Sequence, residues 1–244
     1  MGQTGDGHAF VYDHGHVTIL PGIISGGYGG ANAINTSGVV VGWAQTSATS
    51  YAVMYNHGIM TNLNVWRGPY SVAYDINDSG QVVGEAGTVN YGPRRAFLYK
   101  DGTMKDLSTL GGNSSAAFGI NNSGQVVGQA AFKPTSSEVH AFLYSNGKMM
   151  DLLGPLGINF SPSAAKGINK LGQIVGWYNK PGYGHYAFVY TNGSIHDLNT
   201  LLDASGAGWS LSEATAINDH GQIICKAVGH GMSHAVLLTP VPVP

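Results

Sequence analysis

The chain has 244 residues, only 10% of them charged, and a net charge of −2 with its few lysines and arginines scattered. It therefore has no concentrated basic face, which excludes nucleic acid as a partner. A hydrophobic share of 43% excludes disorder, and scarce Glu and Lys argue against a helical bundle, whose outer faces are normally rich in both.

Cys225 is the single cysteine, so no intrachain disulfide forms, although a core of this size does not need one in an oxidising compartment. No apolar run approaches the roughly 18 residues of a membrane span. The opening MGQTGDGHAF has neither the basic nor the apolar region of a signal peptide, so an exported protein would show its mature form here.

Taken in chain order, two kinds of segment alternate. HAFVYDHGHVTIL from His8 is followed by AINTSGVVVGWA from Ala33. YAVMYNHGIMTNL from Tyr51 precedes DINDSGQVVGEA from Asp75, and RAFLYKDGTMKDL from Arg95 precedes GINNSGQVVGQA from Gly119. HAFLYSNGKMMDL from His140, GINKLGQIVGWY from Gly167, YAFVYTNGSIHDL from Tyr186 and AINDHGQIICKA from Ala216 continue the alternation, which ends on HAVLL at His234. Tyr12, Tyr55, Tyr99, Tyr144 and Tyr190 mark the period, at spacings of 43, 44, 45 and 46 residues.

Each segment reads as a β-hairpin. The HAFLY type turns on His-Gly, Asp-Gly or Asn-Gly, as a two-residue type I′ turn with two positive φ angles requires. The Ile-Asn type has a longer turn, in which Asn folds its side chain onto the backbone and Gly takes the left-handed position. Two hairpins per repeat make a four-stranded antiparallel sheet of about 45 residues, and five such sheets without helical periodicity predict an all-β, five-bladed β-propeller. The single propeller domain spans 8–238, with a Pro-rich linker at 239–244. The Ile-Asn strand is favoured as innermost because its flanks are small, with the HAFLY strand as the alternative, and pairing of the N- and C-terminal strands is expected to close the ring.

The pairing of HAFLYxxGxMxDL, fullest at His140–Leu152, with SxAxGINxxGQVVGxA, fullest at Ser115–Ala130, resembles the HAF-repeat family of bacterial extracellular proteins. The tail TPVPVP from Thr239 is similar to the linker before a Val-Pro-Glu-Pro sorting signal. The resemblance implies export and a secreted or cell-surface location, and brings no assigned activity or catalytic residues. The first copy departs from it at Ile19, where later copies have Asp106, Asp151 and Asp197, and the last departs at Cys225, where glycine is usual.

In a repeat protein the columns that hold constant serve turns and packing, so function is sought in the columns that vary. One follows the Val-Val-Gly strand and holds Trp43, Glu85, Gln129, Trp177 and Lys226; the other heads the HAFLY strand and includes Tyr51, Arg95, His140 and Tyr186. Aromatic faces with polar tips suit carbohydrate, so Trp43, Trp177, Tyr51, Arg95, His140, Tyr186 and Gln129 are the candidate ligand-binding residues. Asp75, the one acid in a column of small residues, and Glu85 on the adjacent strand are the candidate pair for an alternative reading, an axial hydrolase site. A third reading is a structural surface or matrix repeat.

His230 and His234 have the His-x3-His spacing of metal ligands, with Cys225 nearby. The turn role of His220 and the packed position of Cys225 weigh against a metal, and no cofactor is expected. The expected partner is carbohydrate or another extracellular small molecule, bound by a monomer.

Overall fold

The computed structural model describes residues 1–22, 27–46, 49–63, 66, 68–88, 92–134, 138–154, 161–229 and 231–241. The described residues form 22 strands and include two short 3-10 turns, at Leu198–Leu201 and Ala204–Gly206. All pairings given are antiparallel, and the strands group into six sheets of three or four.

The first sheet holds β1 (Gly2–Gln3), β2 (Ala9–Asp13) and β3 (His16–Ile19). Four complete sheets follow: β4 (Gly29–Ile34), β5 (Val40–Gln45), β6 (Ser50–Asn56) and β7 (Ile59–Asn62); then β8 (Ser71–Ile76), β9 (Val82–Gly87), β10 (Arg94–Lys100) and β11 (Thr103–Asp106). The next two are β12 (Ser115–Ile120) to β15 (Lys148–Asp151) by way of β13 (Val126–Ala131) and β14 (Val139–Ser145), and β16 (Ser163–Ile168), β17 (Ile174–Lys180), β18 (Gly184–Thr191) and β19 (Ser194–Asp197). The last contains β20 (Ser210–Ile217), β21 (Ile223–Gly229) and β22 (Met232–Leu238).

Six sheets, not five, correct the expected count, and among the described residues the N- and C-terminal strands do not share a sheet. The reason lies in the opening residues. Gly2 pairs with Phe10 just as Gly84 pairs with Phe97, so β1 takes the position of a Val-Val-Gly strand beside β2. The hairpin β2–β3 thereby completes a sheet of its own and does not join β20–β22.

The turn chemistry follows the sequence. His14, His57, Asp101, Asn146 and Asn192 all have positive φ, each followed by a glycine that does too. In the longer turns Asn35 Oδ1 accepts the Ser37 and Val39 amides at 3.1 and 2.9 Å, while Gly38 takes φ 79°. The Val-Val-Gly glycine has a packing reason. A Cβ on Gly42, Gly84 or Gly176 would lie 1.9–2.0 Å from a carbonyl oxygen of the neighbouring Ile-Asn strand. Cys225 occupies that position in the last sheet, where β20 carries a second register shift, between Leu211 and Glu213, beside the shift found in other sheets.

The chain divides into two compact units, Met1–Thr109 with Asn113–Gly124, and Leu110–Gly112 with Gln125–Pro244. In the first, Val41 and Ala52 of one sheet pack on Phe97, Tyr99 and Met104 of the next. In the second, Val127, Ala141 and Leu143 meet Ile174 and Phe188, and Val175 and Val189 meet Leu211, Ile223 and Cys225. Every Ile-Asn strand lies at the edge of its sheet. Within each unit these edges are laced by side chains of successive copies. Asn77 Nδ2 donates to Asn121 O at 3.1 Å, and Asn169 Nδ2 to Asn218 O at 3.1 Å. Buried serine hydroxyls accept amides of the preceding copy, from Ala96 to Ser115 and from Ala141 to Ser163.

Candidate functional site

The local feature that builds the site is a β-bulge repeated in the Ile-Asn strands. The register skips one residue between Ala31 and Ala33, Ala73 and Asp75, Ala165 and Gly167, and Ala214 and Ala216. A bulge leaves one residue unpaired and re-aims its side chain, which is why bulges gather at functional sites. The skipped residues are Asn32, Tyr74, Lys166 and Thr215, and each differs in chemistry from the others.

Three of the four bulged side chains reach toward the following copy, whereas Thr215 Oγ1 donates to Ile224 O of its own sheet at 3.2 Å. Asn32 Nδ2 donates to Ala73 O at 2.7 Å, the Tyr74 ring meets Phe118 edge-on at 5.3 Å, and Lys166 Nζ lies 3.9 Å from Glu213 Oε1.

In the first unit this arrangement opens a cavity of about 350 Å³ lined by Asn32, Trp43, Ser50, Tyr70, Val72 and Tyr74. The half-buried Trp43 sits opposite Gly30, and a Cβ there would come within 2.5 Å of the indole Nε1, so glycine lets the indole lie across β4. Tyr74 is held from behind: its hydroxyl donates to Glu85 Oε1 at 3.2 Å. Arg94 Nη1 donates to the same oxygen at 2.9 Å, and its guanidinium lies 3.9 Å from the Tyr70 ring centroid. Burial, reinforced by the Glu85 charge, raises the pKa of both phenols, Tyr74 strongly, so both stay neutral. The result is three aromatic walls with amide and hydroxyl groups between them, and none of the cavity-lining residues is a carboxylate.

Of the expected residues, Trp43 lines this cavity and Glu85 braces its wall, whereas Tyr51 heads its strand with Ser50 beside it in the lining. Asp75 is not a lining residue. Its Oδ1 accepts the Ile76 amide and its Oδ2 the Ile120 amide, both at 2.9 Å, which ties β8 to β12. Burial pushes its carboxyl up to about 6 although both amides favour the charged form. The structure thus holds Asp75 in a backbone tie and Glu85 in an ion pair with Arg94.

The remaining candidates are spread over other sheets. Arg95 Nε lies 4.0 Å from Asp106 Oδ2. His140 is buried, with Nδ1 2.6 Å from Asp151 Oδ2 and its ring stacked on Phe132 at 4.0 Å. Burial alone would raise the Asp151 carboxyl, but His140 and the Gly154 and Leu153 amides hold it below its usual value. Gln129 is half-buried on β13 opposite Ala141, and Tyr186 stacks on Tyr178 at 5.8 Å. Trp177 stacks on His185 at 4.2 Å.

In the second unit the bulged Lys166 takes part in a charged cluster. Glu213 is bridged by Lys226 at 2.7 Å and Lys166 at 3.9 Å, and burial holds the Lys166 ammonium below its usual pKa against the pull of Glu213. A second cavity there, of about 340 Å³, is lined largely by apolar residues such as Leu198, Leu202, Leu238 and Pro240, and includes none of the expected site residues.

No group of three or more metal-ligating side chains occurs among the described residues. His230 lies outside them, His234 packs edge-on against Trp209 at 5.2 Å, and burial pushes the Cys225 thiol up to about 12.

Sequence reasoning missed Asn32, Ser50, Tyr70, Tyr74 and Arg94. A signal for two of them was present: the second free position of SxAxGIN, a variable residue inside a constant motif, is the bulge column.

A family model described as a protein of unknown function (DUF3466) matches residues 67–159. That span holds Tyr70, Tyr74, Glu85 and Arg94. No curated protein matches the chain.

Proposed function

We propose that the chain is an extracellular repeat scaffold of propeller-type blades that binds carbohydrate in the cavity walled by Trp43, Tyr70 and Tyr74, without catalysis. The observation that carries this reading is the convergence of three aromatic side chains with Asn32 and Ser50 around about 350 Å³. Sugar rings present apolar C–H faces that stack on aromatics, and hydroxyls that exchange hydrogen bonds with amides and hydroxyl groups. The volume lies at the low end of the range of about 300–1,000 Å³ usual for small-ligand sites, which suits a mono- or disaccharide unit of a longer glycan.

Two features favour binding over hydrolysis. Glycoside hydrolysis uses two carboxylates flanking the scissile bond. Here the pair suggested by the sequence is engaged elsewhere, Asp75 with two backbone amides and Glu85 with Arg94 and Tyr74. The propeller reading is supported by four-stranded antiparallel sheets whose Ile-Asn edges lie side by side within each unit. Export is supported by the resemblance of the repeats and of the Pro-rich tail to extracellular bacterial proteins.

A glycan array followed by titration of tryptophan fluorescence tests the proposal. The expected result is binding of neutral glycans that Trp43→Ala abolishes and Trp177→Ala leaves in place. A blank array, or binding indifferent to Trp43→Ala, overturns it.

A further inference from the structure

The aromatic cavity of the first unit has uncharged walls, yet a charge stands directly behind one of them. Asn32, Trp43, Ser50, Tyr70, Val72 and Tyr74 line it, and none of these side chains is ionised. Glu85, on β9 beside β8, has a side chain only 11% exposed, and its Oε1 accepts the Tyr74 hydroxyl at 3.2 Å. Its counter-ion Arg94 is not a lining residue, and that side chain is 53% exposed. Water screens the arginine far better than the carboxylate, so the two charges do not cancel within the cavity.

The walls show the sign of the charge that the cavity favours. Burial is the main reason that both phenols resist ionisation, but the Glu85 charge is the next cause at each, and the Arg94 charge counters it at Tyr70. A field that opposes negative charge on the Tyr74 oxygen favours positive charge in front of the ring. The Tyr74 hydroxyl spends its proton on Glu85, so its oxygen has only lone pairs to offer a ligand. Donation to a carboxylate also enriches the ring in electrons. Trp43, of the residue type that binds cations best among aromatics, lines the same space. The Tyr70 ring already holds a cation, the Arg94 guanidinium, 3.9 Å from its centroid, which leaves Trp43 and Tyr74 as walls for another.

We propose that the cavity prefers sugar units bearing a protonated amine, with the ammonium against the Trp43 and Tyr74 rings and Glu85 as the specificity-determining charge behind them. The inference rests on the carbohydrate reading and narrows it: neutral glycans remain ligands, and amino sugars are the preferred ones. A hydroxyl in place of the ammonium keeps the stacking contacts but gains nothing from Glu85. An acetylated amine has no charge either, and the carboxylate of a uronic acid meets the field of Glu85 with the wrong sign.

Isothermal titration of the full chain at about pH 6, where an aliphatic amine is protonated, tests the proposal. The ligands are three oligosaccharides of one length and linkage whose units differ only in carrying an ammonium, an acetamide or a hydroxyl. The ammonium form is expected to bind roughly tenfold tighter than the other two, and added salt to weaken that preference. Glu85→Gln, checked for folding by its melting profile, is expected to bring the ratio close to one. If that variant does not fold, the salt dependence of the wild type decides. Choline, an ammonium without a sugar ring, is expected to bind more weakly than the amino sugar. Equal affinities for the three forms overturn the proposal and leave the carbohydrate reading standing. So does a preference that salt leaves untouched or that survives Glu85→Gln. Choline bound as tightly as the amino sugar assigns the cavity to a free cation and also overturns it. Binding of none of the three oligosaccharides overturns the carbohydrate reading, and this inference with it.

Discussion

Arg94 and Glu85 form the brace of the aromatic cavity: Nη1 donates to Oε1 at 2.9 Å, and the Glu85 carboxylate is nearly buried while the arginine is half exposed. Removing one partner of such a pair leaves the other short of a hydrogen bond, which costs more than the pair itself contributes. Arg94→Ala is expected to destabilise the fold by about 1–3 kcal/mol. Glu85→Gln in the same chain should recover part of that loss, because a neutral amide is less costly to bury. Urea unfolding of the two single variants and the double variant measures the coupling. Additive effects of the two changes would show that the ion pair does not act as a unit.

Asp75 should impose a distinctive pH dependence. Its folded carboxyl is raised to about 6 from the usual value near 3.8. Below pH about 4 both folded and unfolded chains keep the proton, and the contribution is complete. Between about 4 and 6 the unfolded chain releases its proton while the folded one holds it, so stability falls as pH rises, by up to about 3 kcal/mol. Asp75→Asn loses one backbone hydrogen bond but has no proton to release. The stability difference between the two proteins, measured by urea unfolding along this window, should therefore shift against the wild type as pH rises. A flat difference would place the carboxyl outside the buried tie.

The turn asparagines recur in every copy but do not carry equal weight. Asn77 is buried, accepts the Ser79 and Gln81 amides and donates to Gln81 Oε1 and Asn121 O. Asn218 makes the equivalent turn bonds and donates its side-chain amide to Gln222 Oε1, but it is exposed. Asn77→Ala is expected to cost about 2–3 kcal/mol and Asn218→Ala about 1 kcal/mol or less, since lost bonds cost most where water cannot replace them. Thermal unfolding of the two variants decides the order.

Cys225 should be chemically silent in the native state. It is fully buried, and burial raises its thiol to about 12. Because the thiolate is the reactive form, iodoacetamide at about pH 8 is expected to leave it unmodified until denaturant is added. Mass spectrometry of the alkylated chain reads this directly, and rapid labelling of the folded protein would show that Cys225 is accessible and activated.

The sequence by itself determined the hairpins, their turns and their order. Those features depend on residues within a few positions of one another: Asn35 closing on Ser37 and Val39, or Asn146-Gly147 taking two positive φ angles. Periodicity likewise exposed the all-β class and the residues that break step, Trp43 and Glu85 among them. Tertiary structure alone decided what those residues meet. Asp75 looked like an acid in an open column until packing placed the Ile120 amide against it. Trp43 gained Tyr70 and Tyr74 as companions only when a bulge aimed the latter and the next sheet brought in the former. The count of six sheets turned on a two-residue strand, Gly2–Gln3, too short to carry any periodicity of its own. Local turn chemistry is written along the chain, whereas a site between sheets depends on which side chains arrive from the neighbouring repeat, and hydrophobic alternation does not specify that.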